Sequence, residues 1–209
     1  MKRRYFIGTC SLLAALALSA KFSLASTTAT PIDLVESFHQ ALLKSMKSAS
    51  TIGVQQRYET LGPVIRDSFH AGLIIQVTTG SYWRKADTEQ RKKLIETFER
   101  YSTATYAAQF NGYSGQLFET VGQKPGPQET ILVETRLLNP QSKSPSKSIA
   151  LTYVTRKIQG RWWIIDVLVD TGISELARKR SEYRRILKTG GIDGLVKMLA
   201  SKTSALLAN

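Results

Sequence analysis

Two histidines, two aspartates on one predicted strand and a cluster of basic residues are the side chains of this 209-residue chain best placed to do chemistry. His39 and His70 stand at no metal-ligand spacing from each other or from an Asp/Glu cluster. His39 reads as a residue of a helix surface and His70 as a polar residue at a helix junction. Asp166 and Asp170 fall on one strand face, two steps apart. A carboxylate pair is conceivable at that spacing, but structural or rim roles are the expected reading. Gly112-Tyr113-Ser114-Gly115 is a turn and not a nucleophile elbow. Gly190-Gly191-Ile192-Asp193-Gly194 follows a helix rather than a strand, so it reads as a C-cap and then an N-cap, not a dinucleotide loop. The sole cysteine is Cys10, near the N-terminus. No catalytic set, no metal site and no cofactor follows from these residues.

The basic cluster is Arg178, Lys179, Arg180, Arg184, Arg185 and Lys188. Within it Arg180, Arg184 and Lys188 share a helix face at i, i+4 and i+8. Two readings fit: a solvated face, or docking to an acidic protein surface or an anionic headgroup.

The elements that must position these residues begin with the compartment. Lys2, Arg3 and Arg4 precede an apolar stretch from Ile7 to Ala20, and Ser23-Leu24-Ala25 supplies small residues where a signal peptidase reads. The run is too short to span a membrane, so residues 1–25 are expected to be a secretory signal peptide. Arg3-Arg4-Tyr5-Phe6-Ile7 also fits a twin-arginine signal, and a plain basic n-region fits as well. Cleavage removes Cys10, leaving a mature chain with no disulfide and no thiolate. It also removes Lys2, Arg3, Arg4 and Lys21, so the formal charge becomes 13 − 4 = +9. An exported protein this basic favours anionic partners over nucleic acid.

After the signal, helical spacing runs from Pro31 through Met46, from Gly53 to Leu61 with a break at Gly62-Pro63, on to Phe69, and from Ala71 to Val77. Asp87 with Gln90 forms a capping box for a helix over about 88–110, whose stripe is Leu94, Phe98, Tyr101, Thr105 and Ala108. The period then changes to two. Ser114–Val121, Glu129–Leu138, Lys147–Lys157 and Arg161–Asp170 read as four strands joined by short turns, an antiparallel meander. Helices return after Gly172, with a break at Gly190-Gly191. Helices, meander, helices is an α+β layout.

The third and fourth strands do not alternate cleanly. Ile149, Leu151 and Tyr153 share one face, with Ala150 and Val154 on the other; Trp162, Ile164 and Leu168 oppose Trp163, Ile165, Val167 and Val169. A sheet apolar on both faces needs cover on both. Either helices pack each face solid, or one layer stands off and encloses an apolar ligand.

Tyr82-Trp83-Arg84-Lys85-Ala86, Thr88-Glu89-Gln90-Arg91 and a long helix with Phe98 and Tyr106-Ala107 form one motif. Trp162-Trp163-Ile164-Ile165-Asp166-Val167, Gly172-Ile173-Ser174, Tyr183-Arg184 and Gly194-Leu195-Val196 form another. Together, and in order across nearly all of the mature chain, they resemble the MlaC (toluene-tolerance, Tol-auxiliary) family. Phe110-Asn111-Gly112-Tyr113-Ser114-Gly115, Ile173-Ser174-Glu175-Leu176-Ala177 and Arg180-Ser181-Glu182-Tyr183 are similar to its hopanoid-biosynthesis-associated, HpnM-like branch. The chain departs from the family at Phe69-His70, where many members have Phe-Asp, and carries one extra residue in Asp170-Thr171-Gly172-Ile173-Ser174.

The resemblance implies an NTF2-like antiparallel sheet of about four strands, wrapped by helices that form a second lobe. It implies one lipid-binding domain over 26–209, with helices in 32–110, the sheet in 113–170 and C-terminal helices in 172–206. The implied function is periplasmic and non-enzymatic: carrying a phospholipid or hopanoid between membranes, with an MCE-type ABC transporter as partner and transient membrane contact. Expected walls for the lipid tails are Leu73, Ile74 and Val77; Phe98 and Tyr101; Leu151 and Tyr153; Trp163, Ile165 and Val167; and Ile173 with Leu176. Arg180, Arg184 and Lys188 would dock a partner or headgroup. Two rivals stand beside this reading. One is an NTF2-like isomerase or dehydratase, which needs an isolated acid or histidine in the cavity. The other is a lipid-free structural adaptor of the transporter.

Overall fold

A computed structural model describes residues 29–141 and 148–208. The expected signal peptide and part of the 139–146 loop lie outside these residues. Helices α1 (Pro31–Ser48), α2 (Val54–Ser68), α3 (Ala71–Thr79), α4 (Ser81–Lys85) and α5 (Thr88–Gln109) come first. Strands β1 (Leu117–Pro125), β2 (Thr130–Leu138), β3 (Ser148–Ile158), β4 (Arg161–Val169) and β5 (Ile173–Ser174) come next, and α6 (Glu175–Leu207) closes the chain. The strands form an antiparallel meander in the order β1-β2-β3-β4-β5. The architecture is α+β, and β5 makes the described sheet five-stranded rather than four.

Local chemistry explains most boundaries. Thr30 and Asp33 form a capping box at α1, and Asp87 and Gln90 form the expected one at α5. Against expectation, α2 runs on through Gly62-Pro63. Pro63 denies Glu59 its helical donor, but Leu61 and Ile65 are fully or almost fully buried and hold the helix together. Gly62 faces α5 without being required there: a Cβ would make ordinary contacts, 3.4 Å from the Arg66 guanidinium and 3.9 Å from the Thr103 methyl. Strand β1 extends four residues beyond its expected end. The turn after it needs glycine at 126, where a Cβ would fall 2.5 Å from Thr130 Oγ1. The break at Gly190-Gly191 is a kink inside α6, with Gly191 at φ 59°. Asp193, expected as an N-cap after this break, instead ties the kink to α5: its carboxylate accepts a hydrogen bond from the Gln90 side chain at 3.2 Å.

The two-faced apolarity of β4 has a specific cause. A bulge between Val154 and Thr155 in the β3–β4 register shifts the pairing, so Val154 opposes Asp166 while Thr155 opposes Ile164. Ile164 and Val167 therefore both turn inward despite being three residues apart, and both are buried. On the inner face they join Val133, Thr135, Tyr153 and Thr155. The opposite face, with Leu132, Glu134, Thr152, Val154 and Leu168, is only part-buried. Cover on both faces was expected; a second core exists, but it lies among helices and not on the sheet's far side.

That division gives two cores. The first packs α1, α2 and α5 on the sheet through Val35, Phe38, Leu42, Leu61, Ile65 and Ala107. The second is helical, with Ile74, Ile75, Leu94 and Phe98 against Tyr183, Leu187, Leu195 and Leu199 of α6. Phe69 packs against both.

His39 corrects the expectation of a helix-surface residue. It is 3% exposed, because its ring stacks on Phe118 at 3.9 Å and Nε2 shares a 2.9 Å hydrogen bond with the Tyr153 hydroxyl. Sequence periodicity puts it beside Phe38 on α1; only the distant β1 and β3 reveal the cover. Burial disfavours the imidazolium and lowers the pKa from 6.5 to about 4. The unfolded chain thus takes up a proton near pH 6.5 and the folded one only near pH 4. Acid therefore favours unfolding across that window. Stability should be full above about pH 6.5 and fall by up to about 3 kcal/mol toward pH 4. Urea unfolding at stepped pH checks this. His39→Gln, whose amide can still bond Tyr153, should remove most of the added slope; an unchanged slope would assign it to other groups.

Candidate functional site

The site forms where the two cores meet. The junction between α2 and α3 is pinned to the sheet by a bridge between Phe69 and Ile164, and His70 N donates to Ile164 O at 3.0 Å. His70 then caps α3, its Nδ1 accepting from Leu73 N at 3.0 Å. This anchoring aims Ile74 toward β4. On the other side Asp166 follows Ile165, the residue that the β4 bulge leaves without a cross-strand partner. Its carboxylate accepts from Val167 N at 2.8 Å, Leu176 N at 2.9 Å and Ser174 Oγ at 2.5 Å. Ser174 in turn caps α6 through Ala177 N. Asp166 thereby fixes where α6 starts. Asp170 lies in the turn after β4 at φ 51°, so the two aspartates do not act as a facing pair.

Between these anchors lies a cavity of about 230 Å³. Its floor is the inner sheet face: Leu151 and Tyr153 of β3, with Ile165, Val167 and Val169 of β4. Its roof is α5, presenting Phe98, Tyr101, Ser102, Thr105, Tyr106 and Gln109. Ile74 and Leu176 close the flanks. An apolar cavity of about 150 Å³ accepts a benzene, so by the same yardstick 230 Å³ takes roughly nine or ten carbons. A longer chain requires α5 and the sheet to separate.

Of the expected wall residues, Ile74, Phe98, Tyr101, Leu151, Tyr153, Ile165, Val167 and Leu176 meet at this cavity. Four do not. Leu73 faces a shallow depression with Trp83 and Arg156. Trp163 lies against His70 and under the Arg161 guanidinium, 4.3 Å from the ring centre. Val77 and Ile173 are 39% and 59% exposed. Simple parity puts Trp163 with Ile165 and Val167, and the bulge undoes that parity. Tyr106, Phe110 and Val169 also line the cavity and were not expected there. Tyr106 and Phe110 stack on each other, their centroids 5.8 Å apart, Tyr106 beside the expected stripe of α5 and Phe110 just past the helix end.

The basic side chains, with Glu175, gather at the α6 end. Arg178 grips Glu175 with two hydrogen bonds, Nη2–Oε2 at 2.6 Å and Nε–Oε1 at 3.0 Å, and Lys179 Nζ reaches the same carboxylate at 3.1 Å. These bonds, Arg178's foremost, lower the Glu175 pKa. Burial raises the Tyr106 and Tyr153 phenols and keeps both neutral. Both carboxylates at the cavity are thus engaged, and His39 stands behind Tyr153. Among the described residues no group of His, Asp and Glu converges to hold a metal, and no helix is long and apolar enough to cross a membrane. Arg180, Arg184 and Lys188 are exposed on α6, away from the cavity, and no ion pair among the described residues uses them. The cations at the mouth are Arg178 and Lys179 instead. Their signal was their i+3 and i+4 spacing from Glu175.

An apolar hollow between a sheet and a helical lobe, with its charged side chains at one end, has the shape and chemistry to take an amphiphile. The chain belongs to the MlaC protein family, whose profile matches residues 36–201. Over 134 residues it is 29% identical to the intermembrane phospholipid transport system binding protein MlaC of Haemophilus influenzae. That match covers 62% of this chain and spans 61% of the relative's length. The fold is similar, with a TM-score of 0.68, to that of a phospholipid-binding protein from Ralstonia solanacearum whose structure was solved in complex with a phospholipid. The likeness covers 83% of this chain and 96% of that one at 17% identity, and is one of fold.

Proposed function

We propose that this chain is a periplasmic carrier that moves a phospholipid between membranes. Residues 1–25 direct export, and residues 26–209 act as one lipid-binding unit. Its partner is a membrane ABC transport complex of the MCE type, met in transient contacts. The observation that carries this reading is the cavity at the seam of the two cores, with apolar walls and charge confined to one end. Each methylene moved from water into such a space contributes about 0.8 kcal/mol, so a sixteen-carbon tail gives a gross gain near 13 kcal/mol. A carrier crossing water needs that gain, and a helical lobe able to part from a sheet provides for it. The phospholipid names of the two relatives above support this cargo over a hopanoid. The engaged state of Asp166 and Glu175 favours carriage over acid–base chemistry.

Protein exported in its native cells should leave purification with phospholipid bound, measured by mild extraction and mass spectrometry. A hopanoid mass in its place would redirect the cargo to the HpnM-like reading. Lipid-free protein would favour the structural adaptor and sink the carrier.

The face carrying Arg180, Arg184 and Lys188 is the proposed dock for an acidic surface of the transporter. Replacing all three by Gln should leave lipid content unchanged and slow lipid delivery to transporter-containing vesicles, with most of the salt dependence of delivery lost. Delivery at the wild-type rate would remove the dock from this face.

A further inference from the structure

The rim of the cavity carries more than solubility. Building on the carrier reading, we propose that Arg178 and Lys179 form the subsite for the lipid phosphate, and that Glu175 occupies that subsite as an internal competitor when no lipid is bound.

Four observations converge. All three side chains line the end of the same cavity whose floor is Leu151, Tyr153 and Val167. A tail inside therefore delivers its phosphate to this rim. The Arg178 fork already holds two oxygens of a carboxylate, the planar arrangement that also fits two phosphate oxygens. Two cations share the Glu175 carboxylate, and the nearest other acid, Glu182, stands 4.0 Å from Arg178 and is bonded to Lys202. Beneath the cluster is Tyr183, fully buried, its hydroxyl without a partner and within electrostatic range of Arg178 and Glu175.

Displacement is cheap. The Arg178 side chain is 55% exposed, and an ion pair so wet is worth little. Glu175, part-exposed itself, can turn to water when a phosphate arrives. When the lipid leaves, the carboxylate returns and spares the cations from standing unpaired beside an apolar hollow. The subsite thus favours lipids that bear a phosphodiester over neutral amphiphiles with the same tails.

The test uses the mature protein stripped of lipid and incubated with vesicles of phosphatidylethanolamine and phosphatidylglycerol. A second set of vesicles contains diacylglycerol with matching tails. Lipid bound per protein is measured after separation. Glu175→Gln should raise retained phospholipid several-fold. The pair Arg178→Gln with Lys179→Gln should lower it about fivefold while diacylglycerol uptake stays the same. Equal losses of both lipids would reduce the pair to a structural role. Wild-type phospholipid uptake by the pair variant would overturn the subsite, and an E175Q protein that binds phospholipid no better than wild type would overturn the competitor. Wild-type protein that takes up neither lipid would instead defeat the carrier reading itself.

Discussion

Leu151→Trp should yield a folded protein that has lost nearly all of its bound lipid. Leu151 sits on β3, opposite Val169 and Thr135 in the sheet register, with its side chain on the cavity floor and only part-buried. In a solid core an indole there would overpack by about 1–3 kcal/mol. A hollow of 230 Å³ takes the ring with little strain. The ring then fills the space a tail needs. Excluding three methylenes at about 0.8 kcal/mol each weakens binding by about 2.4 kcal/mol, roughly fiftyfold. Lipid phosphorus per protein, read with a thermal melt on the same sample, checks both halves. Leu176→Trp enters the space from α6 without touching the sheet and should do the same. Unchanged lipid in both variants would put the tails elsewhere.

The largest stability loss is expected at Phe38. Its ring is fully buried where α1 crosses the sheet. It meets Phe69, Tyr106 and Tyr153 edge to face, at centroid distances of 5.2, 5.3 and 6.1 Å. These three neighbours line the cavity, so Phe38 is the buttress behind its aromatic walls. Phe38→Ala removes the ring and leaves a void that the rigid sheet cannot close. The cost should be about 3–5 kcal/mol in urea unfolding, a fall of about 6–20 °C in Tm. Lipid retention should fall with it, because Tyr106 and Tyr153 lose their support. A loss below about 1 kcal/mol would mean the walls do not depend on α1.

How much of this is legible in the chain depends on the range of each interaction. Local signals speak clearly: the capping box at Asp87 and Gln90, the change of period after Gly112, and the helix break at Gly190-Gly191. The wall residues on α5 and β3 come from regular spacing. The misplacement on β4 has a specific cause. A bulge in β4 is a pairing event between two strands, and no spacing within Trp162–Val169 announces it. It sends Trp163 outward and turns Ile164 inward. His39 misleads for a similar reason, since its cover comes from Phe118 and Tyr153, far along the chain. The basic residues of α6 are recognisable as a cluster. Which of them reach the cavity depends on Asp166 fixing the first turn, a contact made only in the fold.

A structure of the protein purified with its own lipid tests the central claim most directly. The tails should lie between α5 and the inner sheet face, touching Tyr101, Leu151, Tyr153 and Val167. The gap should be wider than the 230 Å³ seen here. A lipid bound elsewhere, with α5 still seated against the sheet and that space filled by the protein's own side chains, would contradict it.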